Sequence, residues 1–126
     1  MPIEFIVNKD EKIFEAIFTE IITDDILFES YKEFITNEEL FQKLNGLANL
    51  EKTDLSGLSV NGLKKLSEFT NNIIKQQFTT IKKTAIYAPH PSQFGITGMY
   101  EVLSNSSAED VMVFRDRNLA IEWLKK

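Results

Sequence analysis

The chain has 126 residues, no cysteine, 43% hydrophobic residues and a formal net charge of -5. That length suits one domain around one core, the apolar content excludes a largely disordered chain, and the missing cysteines exclude disulfides, as suits a reducing compartment. The acidic balance excludes unspecific nucleic-acid binding; with no run near the ~18 apolar residues of a membrane span and no signal peptide at its start, a soluble, cytoplasmic protein is expected.

Residues 3–7 and 12–20 read as two strands around the turn Asn8-Lys9-Asp10-Glu11. In the second, Phe14, Ala16 and Phe18 alternate with Glu15, Ile17 and Thr19, the period of a half-buried strand, so the sheet begins with a hairpin. Thr23 then caps a helix over 24–36: Asp24 and Asp25 suit its dipole, and Ile26, Leu27, Tyr31, Phe34 and Ile35 form its apolar face. Residues 38–44 add a helical turn or two, closed by Asn45-Gly46. The segment 47–55, LANLEKTDL, is polar for a buried strand, and its place between two helices is what makes it one.

Ser59 can cap the next helix, which ends near Gln76. Leu63, Leu66, Phe69, Ile73 and Ile74 face inward there, while Lys64, Lys65, Glu68, Asn72 and Lys75 face water. A short apolar strand over 84–88 is stopped by Pro89 and Pro91. Ile96, Met99, Tyr100 and Leu103 then form one helical stripe, 110–114 is the last strand, and a helix over 118–126 buries Ala120, Trp123 and Leu124. Buried strands joined by a crossover helix pair in parallel, so the fold class is α/β. The whole is one domain with a mixed five-stranded sheet in the order β-β-α-β-α-β-α-β-α.

In such a sheet, ligands bind beyond the carboxyl ends of the strands, which points to the loops at Asp54, Ala88 and Phe114. In the first, Ser56 and Ser59 are candidates for phosphorylation or for holding an anion, or they simply form a turn and an N-cap. In the second, His90 and Ser92 flank Pro91; His90 is either part of a stiff surface loop or a base oriented by Asp54 in a small enzyme. One imidazole with scattered carboxylates has no metal-ligand spacing, and no cofactor is implied. Gly95 and Gly98 lie three apart on a helix, where glycine is costly, so they mark either close packing or an open face for a ligand or partner. Arg115 and Arg117 offer guanidinium groups to a carboxylate or phosphate, or form surface pairs. Residues 1–40 carry eleven acidic and three basic residues and the remainder eight and eleven, so a homodimer joining the two faces is a further possibility.

Several short motifs resemble the small bacterial STAS-like proteins of the SpoIIAA-like group, relatives of anti-sigma-factor antagonists. They are Phe94-Gly95, Met99-Tyr100-Glu101, Val113-Phe114-Arg115-Asp116 and Ala120 with Trp123-Leu124, joined by Thr23-Asp24-Asp25 and Thr53-Asp54-Leu55 upstream. The resemblance implies the same winding of strands and helices and a role in binding a protein partner or a small apolar or anionic ligand, with no catalysis. Two positions depart from the pattern. The antagonists carry a phosphorylatable Asp-Ser pair where this chain reads Asp54-Leu55-Ser56-Gly57-Leu58-Ser59, and the group often has Arg where Gly98 stands.

Overall fold

A computed structural model describes residues 2–37, 41–77, 82–105 and 109–126. The strands are β1 (Ile3–Asn8), β2 (Ile13–Ile21), β3 (Asn45–Asp54), β4 (Lys82–Tyr87) and β5 (Glu109–Phe114). The helices are α1 (Asp24–Asn37), α2 (Val60–Gln77), α3 (Phe94–Ser104) and α4 (Arg117–Lys125), with 3-10 turns at Phe41–Lys43 and Pro91–Gln93. The strands lie side by side in chain order, β1 antiparallel to β2 and all later neighbours parallel. This is the mixed α/β sheet that the sequence pattern implies.

Right-handed crossovers between sequential parallel neighbours keep every crossover helix on one face. Accordingly Phe14, Ala16, Phe18, Ala48, Leu50, Ile86 and Val111 share the larger core with Leu27 and Ile35 of α1 and Leu63 and Leu66 of α2, and Ile96, Tyr100 and Leu103 of α3 pack against it. A second, smaller core holds Ile13, Leu47 and Ala85 against Ala120 and Leu124, so α4 covers the opposite face. The ring of Phe5 stacks on Phe34 at 4.2 Å and meets Tyr31 edge-on at 5.1 Å, which fixes edge strand β1 to α1.

Local chemistry sets the element ends. Asn8 Oδ1 accepts the Glu11 N–H, and Lys12 closes the hairpin in the left-handed region at φ 57. Thr23, Ser59 and Asp116 each cap a helix by accepting backbone N–H groups from Ile26, from Gly62, and from Asn118 and Leu119. Gly57 sits so close to the chain before α1 that a Cβ there meets the Ile22 carbonyl oxygen at 2.7 Å. Glycine is required at that crossing.

Two expectations need correction. Asn45-Gly46 does not close a helix: both residues begin β3, where the Asn45 side chain accepts the Lys83 N–H and donates to the Leu124 carbonyl, and Gly46 leaves room for the Phe14 ring. Met99 does not join the buried stripe and is 40% exposed, because α3 turns Thr97 and Ser104 inward. Of the two readings of Gly95 and Gly98, the open face is the one found: among the described residues a Cβ at either meets nothing within 4 Å. The expectations for Glu38, Glu39 and Leu40 and for the Lys75 side chain lie outside the described residues.

Because Gly98 lies mid-helix with open space around it, Gly98→Ala is expected to raise stability by about 1 kcal/mol, by restoring helix propensity without a clash. Chemical denaturation checks this, and a loss of stability would show that the glycine serves a close contact.

Candidate functional site

The carboxyl end of the sheet is shaped by an irregularity in β3. Between Ile17 and Thr19 of β2 the partner advances from Asn49 to Lys52, one residue more than β2, which is a bulge in β3. Pairing with β4 stops at Asn49 and Tyr87, so the later carbonyls of β3 have no strand beside them on that side. Side chains from the β4–α3 connection supply what the missing strand does not. Gln93, 2% exposed, donates its amide to the Leu50 carbonyl at 2.7 Å and the Thr53 carbonyl at 3.3 Å, while its Oε1 accepts the His90 N–H at 3.4 Å. His90 Nε2 lies 2.8 Å from the Glu51 carbonyl; a carbonyl oxygen only accepts, so the ring proton sits on Nε2.

This arrangement separates the two residues weighed for acid–base chemistry. His90 is joined to β3 backbone, whereas Asp54 accepts the Ser56 N–H at 2.8 Å, and that bond together with the Ser56 side chain holds its carboxyl below the usual range. Among the described residues no hydrogen bond joins His90 to Asp54. Ser59 donates its hydroxyl to Asp24 Oδ2 at 2.6 Å and its N–H to Oδ1 at 2.8 Å, locking the start of α2 to the start of α1. Ser56, Ser59 and Ser92 are all exposed, and a phosphate on Ser59 would face that carboxylate. Arg115 lies over the Phe94 ring at 4.1 Å, at the entry to α3. Arg117 pairs with Glu15 at 2.6 Å and Lys125 with Glu11 at 3.2 Å, so part of the contrast between acidic and basic halves is met inside the chain.

Beneath the rim, between the sheet and α1–α3, is a cavity of ≈ 70 Å³ whose wall is largely apolar and whose polar members are Tyr31, Thr70, Lys82, Thr84, Thr97, Tyr100 and Glu109. Lys82 and Glu109 are register partners at the starts of β4 and β5, 4% and 3% exposed. Lys82 Nζ donates to the Phe41 and Leu44 carbonyls and lies over the Phe41 ring. Thr84 Oγ1 donates to Glu109 Oε2 at 2.8 Å. Burial pushes the Glu109 carboxyl up to about 7, against a smaller downward pull from Thr84 and Lys82, and burial pushes the Lys82 ammonium down to about 7, against the attraction of Glu109. Burial, with the negative charge of Glu109 nearby, raises the hydroxyls of Tyr31 and Tyr100, so both stay protonated. No local pattern marks Gln93, Lys82 or Glu109 as interior residues: their polar partners are distant in the chain or on backbone.

Two outcomes follow. Gln93→Ala leaves a buried carbonyl unpaired and is expected to cost about 1–3 kcal/mol, more than His90→Ala at the exposed end of the same ladder. Stability should also pass through a trough near pH 7. Glu109 binds its proton more tightly when folded, so its contribution is full below pH 4.5 and is lost as pH rises through 7. Lys82 binds its proton less tightly when folded, so its contribution is lost as pH falls through 7 and returns towards pH 10. Each limb is expected to span roughly 2–3 kcal/mol, with the buried tyrosines opposing the alkaline limb above pH 10. Urea denaturation from pH 4.5 to 9.5 checks this: Glu109→Gln should flatten the acid limb and Lys82→Met the alkaline one.

No protein-family model matches the chain, and no curated protein matches it. Among solved structures it is similar to an uncharacterized protein of the DUF3478 family, with a SpoIIAA-like fold, from Shewanella loihica PV-4. The two share 17% identity with a TM-score of 0.63, over 97% of this chain and 91% of the other. At that identity the likeness speaks to architecture, and it agrees with the motifs from Phe94 to Leu124: the chain has the SpoIIAA-like fold.

Proposed function

We propose that this chain is a non-enzymatic binding module that receives a protein partner on the outer face of α3 and the adjoining rim. The observation that carries the reading is the orientation of α3. An ordinary surface helix turns its apolar stripe inward and charges outward. Here Thr97 and Ser104 are buried, Val102 is 77% exposed, Met99 is 40% exposed, and Gly95 and Gly98 leave the surface between them low and open. An apolar surface flanked by polar loops marks an interaction site, and a convex helix suits a protein surface better than a small molecule. Arg115 over Phe94 adds a cation at one end of this strip, and Ser92 and His90 border it.

The SpoIIAA-like fold itself suggests a binding or regulatory module. The engagement of His90 with a carbonyl supports binding over base chemistry.

Cross-linking in cells followed by mass spectrometry would name the partner, and binding is then measured with both proteins purified. Val102→Asp and Gly98→Arg are each expected to weaken it by about tenfold or more, corresponding to about 1.4 kcal/mol. Leu119→Asp, on the 55% exposed Leu119 of α4, should leave it unchanged. Unaltered binding by Val102→Asp would overturn the assignment of α3.

A further inference from the structure

The interior cavity carries an unmet hydrogen-bonding demand. Glu109 Oε2 is taken by Thr84, but Oε1 is buried and has no hydrogen-bond partner among the described residues. A buried acceptor without a donor costs about 1–3 kcal/mol, so native chains rarely keep one unless something else fills the position. This oxygen belongs to a residue that lines the ≈ 70 Å³ cavity, whose other walls include Phe18, Leu27, Leu50, Leu63, Leu66 and Ile96. Such a space exceeds the minimum for one water by several fold. It combines the two marks of a small-molecule site, an apolar enclosure and a few convergent polar groups.

We propose that the cavity is a binding site for a small uncharged amphiphile, its apolar body against the leucines and its single hydroxyl donating to Glu109 Oε1. The chemistry selects that class. The lining is largely apolar, and burial holds its one acid and one base towards neutrality, so a charged ligand would bring uncompensated charge into an interior that penalises it. With Glu109 ionised, an ether or hydrocarbon of the same size would fill the space and leave Oε1 without a donor. The site lies on the inner side of α3, so it stands independently of the partner surface proposed for the outer side.

The test uses butan-1-ol and its isomer methyl propyl ether as probes, followed by methyl resonances of the intact protein. Above the Glu109 titration, at about pH 8.5, saturable shifts at Leu63, Leu66 and Ile96 are expected with butan-1-ol, at an affinity at least about tenfold above that of the ether, as expected when a buried acceptor is left unpaired. Leu66→Phe, which fills the cavity from α2, should abolish the shifts, and Val102→Asp should leave them intact. Equal affinity for the two isomers would overturn the role of Glu109. The absence of saturable shifts with either probe would show that the cavity holds only water.

Discussion

Strand β3 extends past the end of its β4 pairing, and the carbonyls left without a strand on that side must find donors. That requirement organises the functional end of the molecule. Gln93 and His90 meet it from the opposite loop, which pins the β4–α3 connection against β3 and sets the direction in which α3 departs. The bulge opposite Ile17 and Thr19 is what re-aims those carbonyls, so a local irregularity in one strand fixes the position of a helix belonging to another unit.

The orientation of α3 links the interior cavity to the exposed face of the helix. With Thr97 and Tyr100 turned towards the sheet, the helix supplies polar groups to the interior cavity, and the same rotation leaves Met99 and Val102 outside. One rotation about the helix axis therefore creates both an interior with hydrogen-bonding capacity and an exposed apolar strip through Met99 and Val102. Lys82 and Glu109 extend that polar interior into the sheet, where burial shifts both towards neutrality.

Much of this architecture was legible in the residues. The alternation of Phe14, Ala16 and Phe18, the caps at Thr23 and Ser59, and the Pro89 and Pro91 stops mark elements through short-range chemistry that any local window contains. LANLEKTDL is recognisable as a strand by its position between helices, because its polarity reflects a strand that emerges from the core halfway along: Leu47 and Leu50 are buried, Glu51 and Lys52 exposed. The interior polar residues were not legible. Two adjacent lysines at 82 and 83 look like a solvated strand end, and nothing near Lys82 in the chain announces that carbonyls of Phe41 and Leu44 will receive it. The stripe through Ile96, Met99, Tyr100 and Leu103 misled about Met99, since helical periodicity gives the spacing of a face but not which of two adjoining faces meets the sheet. The candidate residues Asp54, Ser56, Ser59, His90, Ser92, Gly95, Gly98 and Arg115 do fall along one end of the sheet and the helix leaving it, although Asp54 and His90 take separate partners there.

The strands lie in space in the order in which they occur along the chain. From β2 onward each strand needs only its immediate predecessor as a template, so contacts stay comparatively local and no early segment waits for a distant one. During synthesis, which delivers the N-terminal part first, the sheet can grow by accretion as each strand and its helix emerge, with α4 laid across the back once the last strand is in place.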